Sequence, residues 1–147
     1  MTTIVLASRS AARGALLSNA GIAFTLLPSS IDERAVEAPL VASGESPANI
    51  ASALAEAKAM DVSARKPGAF VIGADQTLDI DGKHWTKPAN VAEAREQLAR
   101  LSGRAHDLHS AVAIARDGVV IWHHRGSARL TMRPLSATMI DAYLSEA

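Results

Sequence analysis

The stretch Phe70-Val71-Ile72-Gly73-Ala74-Asp75-Gln76-Thr77 constrains this chain more than any other. It opens as a continuous apolar run, the pattern of a strand buried on both faces. It then loses bulk at Gly73-Ala74 and presents a carboxylate, Asp75. Small residues just before an acid let another group's backbone, a phosphate or a metal come close. Asp75 is therefore expected to carry chemistry, with the other polar signals converging on it.

Residues 3–7 read as a first strand, followed by the hydroxyl-rich turn Ser8-Arg9-Ser10 and a helix over 11–20 with Leu16, Leu17 and Ala20 inward. Ser10 is its N-cap and Gly21 its C′ residue. A strand, a hydroxyl loop and a helix start form the layout of an anion site, because unpaired N–H groups and the helix dipole point there. Arg13 lies in the first helical turn, where a cation opposes that dipole. It either faces a bound anion or is solvated on the surface. Residues 23–28 read as a second strand, and 29–44 as a long connection containing Asp32-Glu33.

Ser46-Pro47 starts the clearest helix, with an N-cap serine and proline at the first helical position. It runs to Val62 with Ile50, Leu54 and Ala57 as its apolar stripe. Lys58 lies beside that stripe, four residues after Leu54. A lysine there snorkels to solvent or reaches into a cleft, and spacing alone favours solvent. Beyond Asp75, the alternation of a strand puts 75, 77, 79 and 81 on one face. Asp81-Gly82 is explained by a hairpin turn, and Asp79 reads as an exposed edge position. Lys87-Pro88 follows the hairpin. Asn90 and Glu93 form a capping-box pair for a helix buried through Val91, Ala94, Leu98 and Leu101. Residues 106–115 and 119–132 read as an antiparallel pair turned at Asp117-Gly118, and Ser136 caps a last helix. His106, His109, His123 and His124 show no metal-binding spacing and read as structural or surface groups. Alternating strands and helices with two hairpins predict a mixed α/β domain.

Bulk properties exclude several classes. Charged residues are 20% and hydrophobic residues 48%, so the chain is globular. Net charge is zero with no long basic run, which argues against a dedicated nucleic-acid binder. The chain has no cysteine, which removes disulfides, thiol nucleophiles and thiolate metal sites and fits a reducing compartment. Neither a signal peptide nor a membrane span is legible, so the expected location is cytoplasmic, with no membrane partner. Walker A, GxGxxG and GxSxG motifs are absent.

Taken in order, several pieces resemble the Maf family of septum-formation-inhibitor-like nucleoside triphosphate pyrophosphatases. They are Leu6-Ala7-Ser8-Arg9-Ser10 with Arg13 and Leu16-Leu17; Asp32-Glu33; Ala55-Glu56-Ala57-Lys58-Ala59; Ile72-Gly73-Ala74-Asp75; Lys87-Pro88; and Leu101-Ser102-Gly103 before His106. No single piece is specific, but the ordered set is. The resemblance implies an elongated mixed β-sheet flanked by helices, two lobes with a cleft between them, as in inosine-triphosphatase-like folds. It implies hydrolysis of a nucleoside triphosphate to a monophosphate and pyrophosphate, in a house-cleaning role, with a divalent metal cation, Mg²⁺. By resemblance Asp75 is the general base, Ser8, Arg13, Lys58 and Lys87 line the phosphate cleft, and Glu33 is an acidic position there. Elementary chemistry agrees: phosphoryl transfer needs positioning and charge neutralisation, and Mg²⁺ favours one or two carboxylates plus phosphate oxygens. Asp75 and Glu33 offer those carboxylates, and the sequence leaves open which is base and which is only a ligand. A homodimer is suggested by the family alone.

Two positions depart from the family pattern. Ala11-Ala12 stand where many members have Pro-Arg, and Gln76 stands where many have threonine. Loss of an arginine at Ala12 disfavours the pyrimidine-triphosphate subgroup. Gln76 resembles the subgroup acting on 7-methylguanosine triphosphate, and an amide offers both a donor and an acceptor to a base edge. The chain also ends at Ala147 inside a helix, where the family continues with a Gly-rich segment. The expectation is one Maf-like domain over 1–147, truncated at its C-terminus. The competing functions are a non-catalytic nucleotide-binding or regulatory module linked to cell division, and a phosphatase releasing orthophosphate.

Overall fold

In the computed structural model, which describes residues 2–146, the stretch around Asp75 becomes the central strand of a six-stranded mixed sheet. Met1 and Ala147, which bear on how the chain enters its first strand and ends in its last helix, lie outside the described residues. The elements are β1 (Ile4–Leu6), α1 (Ala11–Asn19), β2 (Thr25–Leu26), α2 (Glu33–Ala42), α3 (Pro47–Ser63), β3 (Phe70–Ile80), β4 (Lys83–Trp85), α4 (Val91–Leu101), β5 (Ala105–Arg116), β6 (Val119–Thr131) and α5 (Ala137–Glu146). Strand order is β2-β1-β3-β5-β6, with β4 folded back on the far end of β3. β1 is parallel to β2 and β3, while β3–β4, β3–β5 and β5–β6 are antiparallel. Thus β3 has parallel and antiparallel neighbours at once, and Asp75 sits just beyond the point where β1 stops pairing with it.

Local chemistry sets most of the turns and helix starts. Both hairpin turns put two consecutive residues at positive φ, Asp81 and Gly82 (55° and 80°) and Asp117 and Gly118 (51° and 81°). That is the twist-matched type I′ geometry favoured by Asp-Gly. Ser10 Oγ accepts from the Arg13 amide, Ser46 Oγ from the Asn49 amide and Asn90 Oδ1 from the Glu93 amide. Glu93 returns the bond by accepting from the Ala89 amide.

The layer over β3 and β5 is α3, and its contact face is built of alanine. Ala51, Ala55 and Ala59 meet Ala111, Ala113 and Ala115, all buried. Small side chains let the helix backbone descend onto the sheet, and Gly73 is where it comes closest. A Cβ at Gly73 would collide with the Ala55 carbonyl oxygen and lie 2.7 Å from the Ala59 nitrogen. Of the groups a thinned strand admits, the one occupying this gap is a helix backbone. Beside the alanine layer, Val5, Ala7, Val62, Ala69 and Val71 form the second apolar cluster. Thr77, buried, donates its hydroxyl to the Pro47 carbonyl at 2.7 Å and ties the start of α3 to β3.

Several expectations are corrected. Residues 29–44 are not simply a connection, since α2 occupies ten of them, capped by Asp32, whose Oδ1 accepts from the Arg34 and Ala35 amides. Pro39 inside the helix and the lack of any buried residue hide it from pattern reading. Leu16 does not face the core: it is 70% exposed, because α1 stands off the sheet and leaves a cleft beneath it. Val91 is 58% exposed, so only Leu101 of its helix is buried. The strand expected over 23–28 shortens to Thr25–Leu26. Asp79 is not an exposed edge group: its side chain is 13% exposed and lies 2.8 Å from His109 Nε2.

Candidate active site

Asp75 and Lys58 meet because α3 is held so close to β3. Lys58 lies three residues past Ala55 on the helix that crosses Gly73, so its stem runs along the sheet toward the strand's acid. Its Nζ donates to Asp75 Oδ1 at 2.9 Å and reaches the Ala74 carbonyl at 3.5 Å. The same Nζ lies 2.7 Å from Glu33 Oε1 in the first turn of α2. The side chains of Lys58 and Asp75 are 13% and 12% exposed, whereas Glu33 is 53% exposed. Burial pushes the Asp75 carboxyl above the usual carboxylate range, the Lys58 ammonium pulls it back, Glu33 adds to the rise and Arg13 opposes it. The net direction is upward.

Two carboxylates thus converge on one cationic position. That donor set fits a divalent cation, which Asp75 and Glu33 could hold.

The other end of the site is formed by the polar loop after β1. Ser8 is buried, and its Oγ accepts from the Ser10 amide at 3.1 Å and from Arg13 Nη1 at 3.3 Å. The arginine in the first turn of α1 is therefore aimed at the hydroxyl loop. A cavity of about 600 Å³ opens there, lined by Ser8, Ser10, Arg13, Glu33, Lys58 and Lys87. Its rim at Ser29-Ser30 is fastened to α3 by Asp61, whose Oδ2 accepts from Ser29 Oγ, the Ser30 amide and Arg65. Those bonds, led by the Ser30 amide, hold the Asp61 carboxyl below its usual range.

Ser8, Arg13, Glu33, Lys58 and Lys87 thus line one cavity, with Asp75 paired to its lysine. Gln76 and Ala12 do not line that cavity. Consecutive strand residues point to opposite faces, so Gln76 turns away from α3 into a second cleft beneath α1, shared with Ala12, Leu16, Val112 and His124. Arg13 and Asp75 border this second cleft too, and together with Gln76, Glu33 and Lys87 they line a third one beside Trp85 and Thr86.

Sequence reasoning missed Glu37 and His84 on the wall of that third cleft. Glu37 lies one helical turn after Glu33, so recognising α2 would have found it. The His84 side chain is 7% exposed and lies 3.5 Å from Glu37 Oε2. Also unforeseen is a cross-strand group of Asp79, Asp107 and His109, whose ligand atoms all lie within 4.8 Å of one another and could hold a metal ion. Its members are already engaged: Asp107 with Arg129 at 2.9 and 3.2 Å, and His109 with Asp79 and with Ser127 Oγ at 2.6 Å. Among the described residues, no helix is long and apolar enough to cross a membrane.

The sequence profile described as "Maf-like protein" matches residues 3–147. A 7-methyl-GTP pyrophosphatase from Brucella abortus is 52% identical over 141 residues, covering 96% of this chain and 71% of the relative. A nucleoside triphosphate pyrophosphatase from Rhodopseudomonas palustris is 52% identical over 145 residues, covering 98% and 70%. Among solved structures, a HAM1 protein from Coxiella burnetii shares the fold at TM-score 0.58 and 18% identity, covering 88% of this chain and 71% of that one. A dITP/XTP pyrophosphatase from Mycobacterium abscessus does so at TM-score 0.51 and 20% identity, covering 87% and 72%.

Proposed function

The chain belongs to the Maf family, and from that premise we propose that it hydrolyses a nucleoside triphosphate to the monophosphate and pyrophosphate, with 7-methyl-GTP as its favoured substrate and removal of unwanted nucleotides as its role. The observation that carries this reading is the Asp75 carboxylate, shielded and paired with Lys58, at the edge of a cavity lined by Ser8, Arg13 and Lys87. The relatives named 7-methyl-GTP pyrophosphatase support the choice of base.

In this account the triphosphate lies in the cavity at the start of α1. Arg13, Lys58 and Lys87 neutralise its charge, and Ser8 and the free amides of the first helical turn hold its oxygens. Asp75 takes a proton from the water that attacks the α-phosphorus; the α–β anhydride bond breaks and pyrophosphate leaves. Only Oδ1 of Asp75 is engaged by Lys58, so Oδ2 remains to accept from that water. Bound at Asp75 and Glu33, Mg²⁺ would supply Lewis-acid charge neutralisation at the phosphates.

The raised Asp75 pKa has a direct consequence. Asp75 must be ionised to act as a base, so activity falls on the acid side at a higher pH than an ordinary carboxylate would give. Lys58 lowers that pKa and Glu33 raises it. Lys58→Met should therefore move the acid limb of the kcat/KM profile to higher pH, and Glu33→Gln should move it to lower pH. Shifts of the same sign in both variants would remove Asp75 as the group titrating there.

The function is tested with a panel of 7-methyl-GTP, GTP, ATP, UTP and dTTP in the presence of Mg²⁺. Pyrophosphate release should be fastest with 7-methyl-GTP. A clear preference for UTP or dTTP would contradict the assigned base, and nucleotide binding with no turnover would make the chain a binding module.

A further inference from the structure

The cleft beneath α1 brings Gln76 and Ser110 onto one wall. Gln76 and Ser110 are directly paired across β3 and β5. Gln76 Nε2 donates to Ser110 Oγ at 3.1 Å. Gln76 Oε1 accepts no hydrogen bond among the described residues, so the amide enters the cleft with its acceptor end free and one of its two Nε2 hydrogens tethered. The cleft, about 480 Å³, is walled largely by apolar surface, including Ala12, Leu16 and Val112, with Ser10, Arg13, Asp75 and His124 also on its lining. Leu16, at 70% exposed, is a large apolar side chain with no core to fill, and it suits stacking on a flat ring. Arg13 borders both this cleft and the anion cavity, so one nucleotide can reach from one to the other.

Resting on the function proposed above, we propose that Ser110 is a positioning residue for base choice: it fixes the Gln76 amide so that the cleft offers an acceptor and selects a guanine-type edge. The chemistry follows from donor and acceptor order. A guanine edge presents two adjacent donors, N1–H and the N2 amino group, which one carbonyl oxygen with two lone pairs can receive. Adenine places an acceptor beside its amino group, and uracil flanks its N–H with two carbonyls. With one Nε2 hydrogen committed to Ser110, Gln76 presents its acceptor and its remaining donor in a fixed order, and an edge of the reverse order is left with unpaired polar groups, which a hydrogen-bonding site rejects. The pair reads the Watson–Crick edge only. A methyl group at N7 lies on the other side of the purine, so its recognition falls to other residues of the cleft.

The test uses the full chain and its Ser110→Ala and Ser110→Thr variants. It records kcat and KM for 7-methyl-GTP, GTP and ATP, and calorimetric affinities for 7-methyl-GMP and AMP. Ser110→Ala frees the amide to rotate, so the preference for 7-methyl-GTP over ATP should fall about tenfold, chiefly through KM, in keeping with the loss of one oriented hydrogen bond. The ratio of 7-methyl-GTP to GTP should stay unchanged. Ser110→Thr keeps the hydroxyl and should restore the preference. An unchanged preference in Ser110→Ala, an equal loss in Ser110→Thr, or a wild-type chain with no guanine-over-adenine preference in turnover or binding overturns the proposal. If no triphosphate is hydrolysed but Ser110→Ala narrows the affinity ratio of 7-methyl-GMP to AMP, the catalytic reading fails and the role of Ser110 stands.

Discussion

Asp75→Asn is expected to lower pyrophosphate release by ~10²–10⁴-fold, the usual value of general-base help, while nucleotide affinity changes little. The substitution keeps shape and an oxygen near Lys58 but removes the lone pair that takes the proton. Lys58 retains Glu33 at 2.7 Å, so its ammonium stays in the cavity. Arg13, Ser8 and Lys87 are untouched, which is why binding survives. The acid limb assigned to Asp75 should vanish from whatever residual rate remains. Kinetics at saturating 7-methyl-GTP, with calorimetry of product binding, separate the two effects. Wild-type turnover in Asp75→Asn would remove this residue from the mechanism.

The second large effect is structural and concerns the glycine two residues before the acid. Gly73→Ala places a methyl group against the Ala55 carbonyl oxygen and the Ala59 nitrogen, both helix backbone. No side-chain rotation can relieve that contact, so α3 must rise off β3. Overpacking of this kind costs about 1–3 kcal/mol, occasionally more. The displacement also carries Lys58, three and one residues from the two contact points, away from Asp75. Activity should therefore fall further than the loss of stability alone explains. Gly126→Ala is the control: a Cβ there meets nothing within 4 Å, and stability should stay within about 0.5 kcal/mol of wild type. Thermal or urea unfolding of the pair checks this. Equal stability in both variants would mean that the close approach of α3 does not hold the site together.

What the sequence discloses about this fold follows from the range of the forces involved. Turns at Asp81-Gly82 and Asp117-Gly118 and caps at Ser10, Ser46 and Asn90 depend on neighbouring residues only, and they are legible. α2 is not, because Pro39 argues against a helix and its partners lie in other elements. The α3–sheet contact is hard to read for a related reason. Its six alanines carry little hydrophobic signal each, and their value lies in letting backbones approach. Ile50 and Leu54 mark the helix, but nothing in their spacing marks Gly73 as its seat.

The site shows the same division. The thinned strand end singles out Asp75, and the hydroxyl loop with Arg13 announces an anion site, both from local pattern. Spacing alone favours solvent for Lys58 and leaves Glu33 in a loop; the meeting of Lys58 with Asp75 at 2.9 Å and with Glu33 at 2.7 Å is a tertiary event. The position of Gln76 was within reach. The alternation that groups 75, 77 and 79 on one face also sends 76 to the other, toward Ser110 and the cleft beneath α1.

The most direct measurement is the identity of the phosphorus products formed from 7-methyl-GTP, followed by phosphorus NMR in water enriched in oxygen-18. Pyrophosphate is expected as the inorganic product, with 7-methyl-GMP carrying the new oxygen on its phosphate. Orthophosphate as the sole inorganic product, or oxygen-18 in the inorganic product alone, would contradict the proposed reaction.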